Sequence, residues 1–344
     1  MNLEKLVRKN IWSLKPYSSA RDEFKGEAEV YLDANESPFN TGLNRYPDPY
    51  QWKLKEVLSK EKNVPVKNIL LGNGSDEVID LLYRTFCNPG IDNVIICPPT
   101  YGMYEVSANI NDIDVKKVNL NHDFQLNVSA IIDAIDQEKT KLIFICSPNN
   151  PTANSIYKND VLTLIEKFNG IVVVDEAYID FTSEKSFTEY LDKYPNLVVM
   201  QTLSKAWGLA AIRLGILFAQ KEIINIMNKV KPPYNVNELT QKAAIEALSN
   251  KQQKEQWVKE ILAERNNLEK QLAELSCVEK LYPSDANFIL AKVTDAKGIY
   301  NYLVERKIIV RDRSNVSLCE NCLRITVGTK QENEKLIAAL KSYL

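Results

Sequence analysis

Lys141-Leu142-Ile143-Phe144-Ile145-Cys146-Ser147-Pro148-Asn149-Asn150-Pro151-Thr152 runs from a continuous apolar stretch straight into a turn rich in proline and asparagine. A run so uniformly apolar suits a strand buried on both faces, as in α/β proteins. Ile69–Leu71, Asn93–Cys97, Ile171–Asp175, Leu197–Met200 and Gly215–Phe218 share its character. Helix-like segments at 53–62, 76–86, 128–137 and 158–168 fall between them. This alternation over residues 69–218 predicts a mostly parallel sheet with helical crossovers. Charged helix follows from 219 to 275, interrupted at Pro232-Pro233. Asn287–Leu290, Ile308–Val310 and Leu323–Val327 then read as strands, with helices near 296–305 and 331–343. The expected organisation is a large α/β domain over 36–265 and a smaller α+β domain built from 1–35 and 266–344.

The 344 residues are 45% hydrophobic and 26% charged, with a formal net charge of −2, a balance that carries no electrostatic footprint for nucleic acid or membrane surfaces. No apolar run approaches the ~20 residues of a membrane span. The opening Met1–Arg8 lacks the apolar centre of a secretory signal, so a cytoplasmic protein is expected. The six cysteines are scattered. Cys319-Glu320-Asn321-Cys322 has no second pair or histidines to complete a zinc site, and ordinary reduced thiols with no bound metal are expected. The single histidine, His122, lies in a polar loop, which leaves proton transfer to Lys, Tyr, Asp, Glu or a cofactor.

Four features stand at strand ends, where α/β proteins place ligands. Gly72-Asn73-Gly74-Ser75-Asp76-Glu77 precedes a helix read from Val78. It suits a phosphate, with Ser75 as a possible cap, yet reads equally as a common turn. Ser147–Thr152 is a turn that can present Asn150 to an oxygen. Asp175 ends a strongly apolar strand, as a helix cap or as an acid facing a ligand. In Thr202-Leu-Ser204-Lys205-Ala-Trp-Gly-Leu-Ala-Ala-Ile-Arg213-Leu-Gly215 a lysine follows a strand and two hydroxyl residues. Alone, such a lysine is an ordinary surface residue. Together the four answer one need: an imine-forming amine, an acid for a pyridine nitrogen, donors for a phenolic oxygen, and amides, hydroxyls and an arginine for a phosphate.

With these motifs in hand, the chain resembles the fold-type I pyridoxal-phosphate-dependent aminotransferases, and within them the histidinol-phosphate aminotransferase branch. The likeness runs from Leu14–Arg21 and Leu32–Pro38, through Asn44-Arg-Tyr-Pro47, Pro98–Gly102, Ser147–Thr152 and Asp175–Tyr178, to Leu323–Gly328; Thr202–Gly215 is its most diagnostic stretch. The resemblance implies pyridoxal 5'-phosphate held as a Schiff base on Lys205, which also serves as acid and base. It implies Asp175 at the pyridinium nitrogen, Asn150 and Tyr178 at the phenolic oxygen, and Tyr101 stacked on the ring. Gly74, Ser75, Asp76, Thr202, Ser204 and Arg213 would surround the phosphate. Tyr46 would reach the cofactor of the partner subunit in a homodimer. Tyr17, Asn35, Arg311 and Arg324 would bind substrate, alternately histidinol phosphate and 2-oxoglutarate or glutamate. Two other activities share this pattern, aromatic amino-acid transamination and threonine-phosphate decarboxylation; a cofactor-free binding protein would be expected to lack Lys205, Asp175 or Arg213. One departure stands out: Ala153 replaces the family's usual glycine, at a cost of roughly 1 kcal/mol if φ there is positive.

Overall fold

The computed structural model describes residues 2–17 and 28–343. Its larger sheet has seven strands: β1 (Ile69–Asn73), β2 (Asn93–Ile96), β3 (Asp114–Lys117), β4 (Thr140–Cys146), β5 (Ile171–Asp175), β6 (Leu197–Thr202) and β7 (Leu214–Ala219), in the order β1-β7-β6-β5-β4-β2-β3. β3, β2, β4, β5 and β6 are parallel, whereas β7 runs antiparallel to both β6 and β1. The smaller sheet is antiparallel and comprises β8 (Val278–Leu281), β9 (Phe288–Val293), β10 (Arg311–Asp312) and β11 (Cys322–Thr326), in the order β10-β11-β9-β8.

Successive strand side chains point to opposite faces, and the larger sheet uses both. Ile143, Ile145, Val172, Val174, Val199 and Phe218 enter one buried cluster. Their neighbours Leu142, Phe144, Val173, Val198, Met200 and Leu217 enter another on the opposite face. Both faces therefore need cover, and the crossover helices supply it. The small sheet buries Ile289, Ala291, Leu323 and Ile325 against helices Lys251–Ala273, Ala296–Glu305 and Lys330–Lys341.

Several expectations shift. Val7 and Ile11 pack into the second cluster of the large sheet, so the first two helical turns are joined to that sheet, where the reading of the sequence groups 1–35 with the small domain. The helix read from Val78 begins at Gly74: the Glu77 carboxylate accepts from the Asn73 N–H at 2.5 Å and closes the first turn. Ser75 lies within that turn and does not cap it. Ile308–Val310 is not a strand. Lys307 adopts φ 60° and the Ile308 N–H donates to the Leu303 carbonyl, so this stretch leaves a helix cap and pairing begins only at Arg311.

Candidate active site

The parallel strands β4, β5 and β6 end at one rim, and there a cavity of about 660 Å³ opens between the two sheets. Asp175, the last residue of β5, is buried at its floor. Tyr104 donates its hydroxyl to Asp175 Oδ2 at 2.7 Å, and the Ala177 N–H donates to Oδ1 at 3.1 Å. Burial still dominates and pushes the carboxyl above its ordinary range, while Tyr104, the Ala177 amide and Lys205 act against it. This buried acid is held by neutral donors, and a cation brought beside it would be strongly favoured.

Lys205 follows β6 and extends into the cavity, its Nζ 5.6 Å from the Tyr178 ring. The side chain is open to the cavity, yet loss of water around the amine leads in lowering its pKa. Arg324 adds to the effect, Asp175 opposes it, and Arg213 adds further. A lysine so placed holds a larger fraction of neutral, nucleophilic amine than one in water.

One wall gathers groups that suit an anion. Helix Gly74–Phe86 aims its N-terminus at the cavity, with Ser75 and Asp76 in the lining. Arg213, at φ 54°, places Nη2 3.4 Å from Asp76 Oδ2, and Tyr101 donates to Asp76 Oδ1 at 3.1 Å. Thr202 donates to the Leu214 carbonyl at 3.0 Å and accepts from the Ser204 N–H at 3.1 Å, which holds two hydroxyl residues at the same rim. Two glycines allow the close packing. A Cβ on Gly74, at φ 79°, would stand 2.5 Å from Arg213 Nη2. A Cβ on Gly215 would stand 2.5 Å from the Ser75 nitrogen.

The opposite wall comes from Ser147–Thr152 and the small sheet. Asn150 is buried and accepts a hydrogen bond from Arg324 Nη1. Arg311 lies directly across from Arg324 in the β10–β11 pairing, and both line the cavity. The structure thus gathers Ser75, Asp76, Tyr101, Asn150, Asp175, Tyr178, Thr202, Ser204, Lys205, Arg213, Arg311 and Arg324 around one space, with Gly74 directly behind.

Three residues named from the sequence stand elsewhere. Asn35 and Tyr46 line a separate cavity of about 420 Å³, where Tyr46 stacks on Tyr234 with ring centres 4.5 Å apart. Tyr17 is largely exposed. Two residues that bear on the charge of the site escaped the sequence reading, one buried behind the cavity and one lining it. Tyr104 stacks on Phe144 at 4.8 Å and holds Asp175; it lies in the short helix Met103–Ile110, where an aromatic residue is a signal only of packing. Arg313 lines the cavity beside Arg311 and Arg324.

The profile of the family "Aminotransferase class I and II" matches residues 25–340. The chain belongs to the class I and II aminotransferase family. Among its relatives, this aminotransferase is 57% identical over 342 residues to the histidinol-phosphate aminotransferase of Bacteroides thetaiotaomicron, with 99% of each chain covered. Its structure is similar to that of the histidinol-phosphate aminotransferase from Clostridium acetobutylicum, with a TM-score of 0.80 at 25% identity over 88% of this chain and 91% of that one. The Sinorhizobium meliloti histidinol-phosphate aminotransferase, solved in complex with pyridoxal-5'-phosphate, shares the fold at a TM-score of 0.80 and 21% identity, over 88% of this chain and 84% of that one. Among the described residues of this aminotransferase, no helix is long and apolar enough to cross a membrane.

Proposed function

We propose that this aminotransferase moves an amino group between L-histidinol phosphate and 2-oxoglutarate with pyridoxal 5'-phosphate as cofactor. The observation that carries the reading is one cavity uniting Lys205, the buried Asp175 and an anion-binding wall on one side with cationic side chains on the other. The site fits the cofactor. A buried carboxylate held by the Tyr104 hydroxyl and the Ala177 amide suits a protonated pyridine nitrogen, and the helix N-terminus at Ser75, the hydroxyl residues Thr202 and Ser204 and the Arg213 guanidinium border the same cavity, a set of donors that suits a phosphate. Pyridoxal phosphate supplies an aldehyde that condenses with primary amines and a ring that accepts the electrons of a broken C–H bond.

The chain's own residues do the rest. Lys205 would hold the cofactor through its amine, and the same amine would serve as the acid and base that moves the substrate's proton. Asp175, oriented by Tyr104, would hold the ring nitrogen in its protonated form. Asn150 and Tyr178 would donate to the phenolic oxygen, and Tyr101 would cover a ring face. The Gly74–Asp76 amides, Thr202, Ser204 and Arg213 hold the phosphate, while Asp76 orients Arg213 and Tyr101. Arg324 and Arg311 take the anionic end of each substrate in turn, a use that suits the planar guanidinium fork. The arginine-lined wall and the near full-length likeness to the Bacteroides enzyme favour a phosphate-bearing amine.

We further place the protein in the cytoplasm, in histidine biosynthesis, as a homodimer. Leu43, Tyr46 and Leu239 are exposed around the second cavity, Leu32, Phe39 and Trp52 are exposed close to them in sequence, and a partner would cover these residues, with Tyr46 reaching the partner's cofactor phosphate. In that assembly Asn35 and Tyr17 would contact substrate.

Borohydride reduction of the yellow protein should fix a pyridoxyl group on Lys205, read by peptide mass. Lys205→Ala should lose the label and at least ~10³-fold in turnover, the upper range for a proton-transferring group. Histidinol phosphate should bleach the cofactor band rapidly, and phenylalanine and threonine phosphate should do so slowly. Carbon dioxide release from threonine phosphate would overturn the transamination reading.

A further inference from the structure

Strand parity puts Arg311 and Arg313 on one face of the small sheet, two residues apart, and the β10–β11 register sets Arg324 opposite Arg311 on that same face. The pairing continues one residue past β10, because the Arg313 N–H donates to the Cys322 carbonyl at 2.8 Å. The intervening Asp312 is engaged elsewhere, accepting from the Ser314 N–H and hydroxyl at 2.8 and 2.6 Å. All three guanidiniums therefore border the cavity, and among the described residues none of them has a carboxylate within ion-pair distance. Arg313 Nε is buried with no hydrogen-bond partner. Burial, then repulsion from Arg324 and Arg311, pull this side chain down to about 10, which still leaves it charged at neutral pH.

Such an arrangement is poorly satisfied until an anion arrives. A carboxylate brings one charge and two oxygens, which two guanidiniums already saturate. A phosphate monoester above its second ionisation brings nearly two charges and three terminal oxygens. We infer that Arg313 is a specificity-determining residue that makes this wall prefer a dianionic phosphate monoester to a carboxylate. The inference rests on the proposed reading that Arg311 and Arg324 hold the anionic end of substrate. It adds the feature that separates a phosphate-bearing amine from an ordinary α-amino acid.

The test uses the cofactor-loaded enzyme and two simple competitors, inorganic phosphate and succinate, with inhibition constants measured from pH 5.5 to 8.5. In Arg313→Gln, phosphate inhibition at pH 8 should weaken about tenfold and succinate inhibition about twofold or less. The phosphate defect should shrink toward the acid end of that range, where the dianion gains a proton. Arg313→Lys keeps the charge without the fork and covers a failure of the glutamine variant to fold; its phosphate loss should be about threefold. Equal losses for the two anions, or no loss for either, would overturn the inference. The outcome is separable from the function proposed above. If the wild-type enzyme converts some other amine and ignores histidinol phosphate, that reading fails, while the phosphate-to-succinate ratio still decides the role of Arg313.

Discussion

Ala153 shows how a substitution that departs from the family's pattern is tolerated. Its φ is 69°, in the left-handed region, and its methyl is fully buried beside Tyr178, Phe181 and Phe288. A left-handed alanine costs about 1–2 kcal/mol. A glycine there would forgo about 0.8 kcal/mol of methyl burial and add about 0.4–1 kcal/mol of unfolded-state freedom. The terms offset, so the turn that presents Asn150 keeps its shape with either residue. Asp175 leads to a prediction with a sign. Its carboxyl is raised in the folded chain, so the folded state holds the proton to higher pH than the unfolded state does. The stability this contributes is complete in acid, below the unfolded value of about 4, and is lost as pH rises through the folded value. Asparagine is neutral throughout. In cofactor-free protein, the melting temperature of Asp175→Asn relative to wild type should therefore rise as the pH is raised from about 4. A difference that stays flat or falls would mean Asp175 ionises normally. The same variant, once loaded, should lose most of its turnover, since the ring nitrogen loses its partner.

At the scale of elements, the packing of β7 against the first turn of helix Gly74–Phe86 fixes the wall proposed to hold the cofactor phosphate. A methyl at Gly215 would meet the Gly74 carbonyl carbon and the Ser75 nitrogen at 2.5 Å, and backbone atoms cannot swing aside. Gly215→Ala should cost about 1–3 kcal/mol of stability. It should also weaken cofactor binding by at least about tenfold, measured by titration of the yellow band. Tight binding with normal stability would show that the helix can retreat without cost. The elements that could be read in advance were those with two buried faces: Ile143–Cys146 and Ile171–Val174 are apolar at every position and unmistakable as strands. β3 was not read, because Asp114-Val-Lys-Lys117 is an edge strand whose polar side chains meet solvent. β10 was misplaced by the apolar Ile308–Val310 beside it. Arg313 went unnoticed for a related reason. Arg-Asp-Arg in a loop looks solvated, and its alignment with Arg324 exists only once the β10–β11 register is known. Lys205, Asp175 and Arg213 were conspicuous because each follows or ends a strand and together they suit one chemistry.

For the molecule as a whole, the proposed dimer makes a claim about which subunit serves which site. Tyr46 lies outside the cavity holding Lys205 and faces an exposed apolar surface. Tyr46→Ala and Lys205→Ala proteins, each nearly inactive alone, should regain about a quarter of wild-type turnover after mixing and reassortment. Half of the random dimers then pair one intact Lys205 with an intact Tyr46 from its partner. No recovery would assign Tyr46 to its own chain or the protein to a monomer, and sedimentation would tell those apart.

Helix Lys251–Ala273 passes without a break from one part of the molecule into the other. Its first half lends Val258, Ile261 and Leu262 to the patch beneath Tyr178 and Ala206, while Leu268 and Leu272 are sealed under the small sheet. One rigid rod is thus a structural member of both the lysine-bearing floor and the arginine-bearing wall. Any tilt of that rod changes the gap between the two, so the spacing of amine and anion site is set by a single lever, and heating should melt both parts as one cooperative block.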